Sequence, residues 1–456
     1  MMNTSMVSTA AEKVPLGMKL GYSIGDFGAN LAFNITGFYL MFFFTDVFGI
    51  VPALAGGIFL YAKLWDAVTD PVMGAIADHT KSRWGKFRPY LLFGALPLGV
   101  AVALLFQSPD LSQNMKYWYG LGAFMLFATT ITIVNVPYLA LTPSLTLDSH
   151  ERSVVTGIRV VFGIVGALAA AGATLPLVSL LGGGNQSAGF GRTSILYGAI
   201  VAVVTLISFA TVRERVFHRD PEKAGLRENL RVVGQNRPFM ILTAGLFMHM
   251  IGMNIMAVVV NYFFKYNLRA EKLIPVAFLC LFVTAAASIP LFVFVSKKTS
   301  KKFAYNLGMG IVVTALGLIF LFGEKGPAIT IGLFVLAGVG LSTNWLSPWA
   351  MIPDTVEYSE WKTGLRREGI LYGIFYFVFK FGTAVAGFLV GYVLSLTGYV
   401  ANVEQSAGAL FGIRAVFTLL PMVFLAGGIT LIGLYPIDAG THRRITGEID
   451  ARRMKG

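Results

Sequence analysis

Charge is what this chain has least of. Only 13% of its 456 residues are Asp, Glu, Lys or Arg, against roughly 25% in soluble domains, and that deficit excludes an ordinary cytosolic enzyme. Long polar linkers are also missing: none precedes Arg213, although a soluble chain of this length would divide into about three domains. Cysteine is nearly absent, and the single Cys280 lies in an apolar run, which excludes a disulfide framework and a cysteine metal site. Neither GxxxxGK[ST] nor HExxH occurs, so P-loop ATP hydrolysis and HExxH zinc chemistry have no residues to carry them. The chain is therefore not read as an enzyme, and no cofactor is expected. The opening stretch MMNTSMVSTAAEKVPLGMK is polar and lacks the apolar core of a cleavable signal; the first span is expected to serve as the insertion signal.

What is present is apolar sequence. Hydrophobic residues make up 55% of the chain, in stretches of about the 20 residues that a bilayer-crossing helix requires. Spans are expected near 20–45, 50–77, 89–107, 117–141, 155–180 and 193–212, then 238–264, 273–296, 303–322, 328–352, 369–395 and 409–435. The fold class is an all-α membrane protein with twelve transmembrane helices. The polar stretch 213–237 divides it into two six-helix bundles, 1–212 and 238–435, followed by a tail, 436–456. Basic clusters follow span 2 (KSRWGKFR, 81–88) and span 8 (KKTSKK, 297–302). This internal echo suits two repeats with substrate near the midplane, a recurring transporter architecture. Pro137, Pro290 and Pro348 fall inside spans, where neighbouring helices can satisfy the freed carbonyls.

The net charge of +13 does not indicate a nucleic-acid partner, because it is concentrated in alternate loops. Lys81, Arg83, Lys86, Arg88, Arg152, the run Arg213 to Arg237, the 297–302 lysines, Lys362, Arg366, Arg367 and the tail share one side. Loops on the other side hold Lys116, Arg192, Lys265, Arg269, Lys272, Lys325 and Arg414. By the positive-inside rule both termini are cytoplasmic, in a bacterial cytoplasmic (inner) membrane.

Ionisable groups inside apolar spans are costly and mark a pathway or a buried pair. They are Asp26, Lys63, Asp66, Asp70, Arg159 and Lys380. Lys63, Asp66 and Asp70 follow at steps of three and four and share one helix face. Two buried carboxylates one turn apart repel, so the pair calls for a proton, a bound cation or the Lys63 ammonium. One reading is a cation site formed by Asp66, Asp70 and a hydroxyl from another helix; the other is a permanent Lys63–Asp66 ion pair, with Asp70 holding the turn that follows. Tyr22, Asp26, Asn30 and Asn34 form a polar stripe at i, i+4 steps, which must face a cavity or another polar surface. Thr132 and Asn135 share a face of span 4, and Asn344, Trp345 and Trp349 lie in span 10. Amides and rings together suit a polyhydroxylated ligand, although interhelical packing accounts for any one of them. His249 is alone in span 7, with a packing or interhelical hydrogen-bonding role. The Gly/Ala-rich stretches of spans 5 and 11 read as tight packing seams.

The segments KLGYSIGDFG (19–28), FFFTDVFGI (42–50), KLWDAVTDPVMG (63–74), SRWGKFRPYLLFG (82–94), TIVNVPYLAL (132–141), PDTVEYSEWKTGLRREG (353–369) and FKFGTAVAG (379–387) carry a resemblance. The chain resembles the glycoside–pentoside–hexuronide:cation symporters of the major facilitator superfamily. The resemblance implies a symporter that takes a sugar, glycoside or sugar acid together with Na+ or H+ by alternating access. It implies that Asp66, Asp70 and Thr132 bind the cation, Na+ being held by the two aspartates if sodium is used. Asp26, Asn30, Asn135, Arg159, Trp345, Tyr376 and Lys380 are assigned to the substrate. Lys63, Arg83, Lys86, Asp354 and Glu357 are assigned to a gating charge network. Melibiose-type members carry aspartates where this chain has Asn30 and Asn135, so a hexuronide- or pentoside-type substrate is favoured over a galactoside. Three negative and three positive charges border the expected site, and a bound cation leaves one positive charge, which suits a hexuronide. A non-transporting sugar sensor on the same fold is the alternative.

Overall fold

The computed structural model describes residues 13–146, 148–214, 233–364 and 368–453, with backbone alone at Ser149, Trp345, Leu346, Ala439 and Arg453. Within the 213–237 stretch, residues 215–232 lie outside the described residues, as do Arg366 and Arg367.

Helices account for the regular structure among the described residues. In the first unit they are α1 (Leu16–Phe42), α2 (Pro52–His79), α3 (Arg88–Leu105), α4 (Gln113–Leu145), α5 (Ser149–Gly182) and α6 (Gln186–Thr211). The second unit contains α7 (Arg237–Tyr262), α8 (Ile274–Lys298), α9 (Lys301–Phe322), α10 (Pro327–Thr363), α11 (Glu368–Leu396), α12 (Ala407–Phe417), α13 (Leu419–Gly433) and the tail helix α14 (Ala439–Arg453). Among the described residues, eleven spans are long and apolar enough to cross a membrane, α12 and α13 counting as one broken at Thr418. α2 is the twelfth: its 28 residues suffice, while Lys63, Asp66, Asp70 and Asp78 lower its hydropathy. The chemistry of the site thus hides the span that carries it.

The chain divides into two compact units, Met1–Pro221 and Glu222–Gly456. They share a detail that the basic-loop echo does not capture. α1 runs into a π-helical turn at Phe43–Val47 and α7 into another at Phe263–Asn267. In the first, the amides of Phe48 and Ile50 donate to the carbonyls of Phe43 and Phe44; in the second, those of Leu268 and Ala270 donate to Phe263 and Phe264. Positive φ follows in both, +77° at Gly49 and +52° at Arg269. One local structure therefore ends the first membrane-length helix described in each unit.

Packing inside each unit depends on small residues, as the composition of spans 5 and 11 implied. A Cβ on Gly166 of α5 would strike the Phe27 carbonyl of α1, and one on Gly382 of α11 would press on Met250 of α7 at 2.9 Å. Such close approach sets which side chains of neighbouring helices meet. Prolines sit inside α2 (Pro71), α4 (Pro137, Pro143), α8 (Pro290) and α10 (Pro348, Pro353). Pro71 has no N–H to give the Ala67 carbonyl, which leaves a backbone acceptor one residue beyond Asp66.

Candidate functional site

α2 presents Lys63, Asp66 and Asp70 along one face, and α4 brings Thr132 against them. Thr132 Oγ1 lies 3.0 Å from Asp66 Oδ1 and 2.8 Å from Asp70 Oδ1. A hydroxyl has one proton, so it can donate to only one of these carboxylates at a time. The other oxygen pair brings lone pairs together unless a proton or a cation lies between them. Asp66 and Thr132 are almost fully buried, where water cannot offset that repulsion.

Lys63 Nζ stands 3.9 Å from Asp66 Oδ2, the outer limit of an ion pair. It also lies 4.7 Å from the ring centre of Phe33 and 5.6 Å from that of Phe124. Aromatic faces thus share the ammonium with the carboxylate. Thr69 Oγ1 donates to the Asp66 carbonyl at 3.1 Å and does not enlarge the hydroxyl set around the carboxylates.

Asp26 of α1 and Arg159 of α5 form a second buried group. Arg159 Nε donates to Asp26 Oδ2 at 2.5 Å and Nη2 to Oδ1 at 3.2 Å, a bidentate pair. Nη1 donates to Thr142 Oγ1 at 2.7 Å, and the guanidinium lies about 5 Å from the rings of Tyr22 and Tyr138. These contacts engage three of its N–H groups. Lower on the stripe, the amides of Asn30 and Asn34 donate to the Asp26 and Asn30 carbonyls on their own helix. Asn135 lines a narrow cavity with Gly25, Leu98, Tyr138 and Ser208.

In the second unit, α7, α10 and α11 enclose a cavity of about 110 Å³ lined by Leu246, Met250, Asn344, Trp349, Phe375 and Phe379. Tyr376 packs on Trp349 with ring centres 5.7 Å apart. Lys380 is one turn further along α11 and half-buried. The side chain of Trp345 lies outside the described residues.

Of the gating set, Asp354 accepts two hydrogen bonds from Lys301, at 2.8 and 2.9 Å, and Glu357 meets His442 of α14 at 2.6 Å. Trp361 donates to Glu448 at 2.6 Å, while Ile445 and Ile449 are buried, so the tail helix is docked along the end of α10. Lys86 pairs with Asp78 at 3.0 Å, and Arg83 covers the Trp84 ring at 4.1 Å.

Sequence reasoning missed two carboxylates. Asp46, in the π-helical turn, is 5% exposed and accepts from Thr45 at 2.8 Å; twenty residues along α1 put it about 30 Å from Asp26. The other is Glu214, which had been counted only as part of the polar divide. Its carboxylate accepts the backbone N–H groups of Lys86, Phe87 and Arg88 at 2.8, 2.8 and 3.1 Å, and so binds as an anion at the start of α3. This explains the glycine of SRWGKFRP: φ at Gly85 is +108°, and a Cβ there would lie 2.5 Å from Glu214 Oε1. Gly85→Ala is expected to cost about 1–3 kcal/mol through the strained backbone, and Glu214→Gln about 1.5–3 kcal/mol through weakened charge-assisted bonds. Thermal unfolding of the purified protein in detergent checks both; midpoints equal to that of the parent protein would exclude an anchoring role.

Comparison with known proteins gives the following. The family described as MFS/sugar transport protein matches residues 21–439. The chain is 34% identical to the uncharacterized symporter YnaJ of Bacillus subtilis (strain 168), covering 98% of this chain and 97% of that one. It is also 34% identical to the isoprimeverose transporter of Lactiplantibacillus pentosus, over 93% of this chain and 89% of the relative. Among solved structures, it resembles a bacterial homolog of the human lysosomal transporter Spinster in an inward-facing, unoccupied conformation. The TM-score is 0.69 at 14% identity, covering 97% of this chain and 99% of that one, a likeness of fold alone.

Proposed function

The chain belongs to the MFS/sugar transport protein family, in its glycoside–pentoside–hexuronide:cation symporter group, and from that premise we propose that it couples sugar import to a cation at Asp66, Asp70 and Thr132. It is a multi-pass membrane transporter and not an enzyme. The supporting observation is the Thr132 hydroxyl, whose one proton faces two carboxylate oxygens within hydrogen-bond distance. Binding Na+ or H+ completes that arrangement. Partly loaded forms would carry uncompensated charge in a low dielectric and reorient poorly, whereas empty and fully loaded forms alternate access. By linkage, the cation tightens sugar binding as much as the sugar tightens cation binding.

The substrate is a sugar, glycoside or sugar acid, with hexuronide- or pentoside-type compounds favoured over galactosides. Within the first unit Asp26, Asp66 and Asp70 oppose Lys63 and Arg159, a balance of −1 that one bound cation brings to zero; Lys380 adds a positive charge. A carboxylate-bearing sugar suits that sum. The transporter works in a bacterial cytoplasmic membrane with both termini inside.

Uptake of radiolabelled methyl β-D-glucuronide and methyl β-D-glucoside into proteoliposomes, with and without an inward sodium gradient and at two pH values, tests the reading. Faster, gradient-driven glucuronide uptake is expected. Equal uptake of the two compounds overturns the anionic preference, and no uptake of any sugar favours a sensor.

A further inference from the structure

His249 is fully buried on α7, and its Nε2 lies 2.6 Å from Asn344 Oδ1 on α10. Nδ1 has no partner among the described residues. Which ring nitrogen carries the proton follows from that asymmetry. A proton on Nδ1 would be a buried, unpaired N–H, which folded proteins rarely tolerate, whereas a bare ring nitrogen is a weaker loss. Nε2 therefore carries the proton, and the Asn344 atom facing it is the carbonyl oxygen.

This fixes what Asn344 offers elsewhere. An amide has a carbonyl oxygen with two lone pairs and two N–H donors; His249 takes one lone pair and so holds the oxygen against the ring, and the nitrogen makes no hydrogen bond among the described residues. Asn344 is half-buried and lines the cavity between α7, α10 and α11. Apart from the Trp349 indole N–H and the Asn344 backbone carbonyl, which Pro348 has no N–H to satisfy, that wall is aliphatic or aromatic, so the amide nitrogen is one of its few polar groups. Hydrocarbon cannot satisfy such a group, so the cavity suits water or a polar part of a ligand better than a lipid chain. Its free volume of about 110 Å³ admits several waters or a polar substituent of a ligand.

We infer that His249 is a positioning residue for substrate recognition: it holds the Asn344 oxygen against its own N–H, so that the amide turns its N–H donors to the pocket and favours a sugar substituent that accepts, a carboxylate above all. The inference rests on the transport reading and deepens it. An aromatic wall from Trp349 and Phe375, whose ring centres are 5.4 Å apart, covers the apolar face of the sugar ring beside that substituent. A hydroxymethyl group, which both donates and accepts, uses the pocket less well, and a bare hydrogen does not use it.

The test compares initial uptake of methyl β-D-glucuronide, methyl β-D-glucoside and methyl β-D-xyloside, three pyranosides that differ at one ring substituent, by the full chain in proteoliposomes. His249→Leu frees the Asn344 amide to rotate and is expected to raise KM for the glucuronide about tenfold, one hydrogen bond's worth, with the maximal rate and the xyloside KM little changed. His249→Gln places an N–H where Nε2 stood and restores the glucuronide KM to within about threefold, less than one neutral hydrogen bond. Asn344→Asp replaces the donors by an acceptor and is expected to weaken glucuronide uptake by about tenfold or more while sparing the xyloside. Equal loss for all three probes in His249→Leu, or no rescue by His249→Gln, would show a merely structural histidine and overturn the inference. Wild-type uptake with unchanged KM values in the variants overturns it alone; failure of the wild type to take up any probe overturns the transport reading and this inference with it.

Discussion

Proteoliposomes carrying Asp70→Asn are expected to lose uphill sugar accumulation while still equilibrating and exchanging sugar down its gradient. The reason lies in the proton count at Thr132. Two carboxylate oxygens at 3.0 and 2.8 Å compete for one hydroxyl proton, and in the proposed mechanism that deficit is what the coupling cation fills. An asparagine at 70 supplies its own N–H, so the site is complete without an ion. The carrier then behaves as if permanently loaded: it can reorient, but the ion gradient has nothing to act on. Thr132→Val makes the complementary change, removing the bridging oxygen and leaving both charges. Cation affinity should fall by about tenfold, the size of one hydrogen bond to a charged group, with coupling retained at high cation concentration. Unchanged concentrative uptake by Asp70→Asn would refute the assignment. A cation that stimulates Asp70→Asn as strongly as the parent protein would place the coupling site elsewhere.

A second large effect is expected in stability. Asp26→Asn and Arg159→Gln should each destabilise the protein by about 3–5 kcal/mol, the usual result of stranding one member of a buried ion pair. Side chains of Asp26 and Arg159 are 13% and 11% exposed, and the guanidinium is enclosed by Tyr22, Tyr138 and Thr142. Losing the carboxylate leaves a charge that aromatic faces and one hydroxyl cannot compensate. The double variant should recover much of the loss, since two neutral amides can bond to each other. Thermal unfolding of the four proteins in one detergent gives the cycle; additive losses would mean that the two residues act independently. Sugar binding should remain weak in the double variant even as stability returns, because the guanidinium assigned to the substrate is gone.

The tail helix was legible only as a basic stretch. Its polarity predicted a cytoplasmic tail, but docking depends on Ile445 and Ile449 meeting the end of α10 and on Glu448 reaching Trp361. The charges assigned to gating illustrate the same limit. Asp354 and Glu357 were identified by their motif, yet their partners here, Lys301 and His442, come from 53 and 85 residues away. Glu214 reaches back 126 to 128 residues to the turn before α3.

From the sequence alone came the membrane class, the helical spans, the shared face of Lys63, Asp66 and Asp70, and the short roster of ionisable groups within the spans. Those features are local: hydropathy over about 20 residues and a repeat of 3.6 residues are properties of one helix at a time. Only the tertiary structure decided that Asp26 is held by Arg159, that one hydroxyl lies against both aspartates, and that His249 meets Asn344. Each of these pairings joins two helices; for Asp26 and Arg159 the register is set by the close approach of α5 to α1 at Gly166. Periodicity shows which way a side chain faces from its own axis; the depth and rotation at which two helices pack decide what it meets.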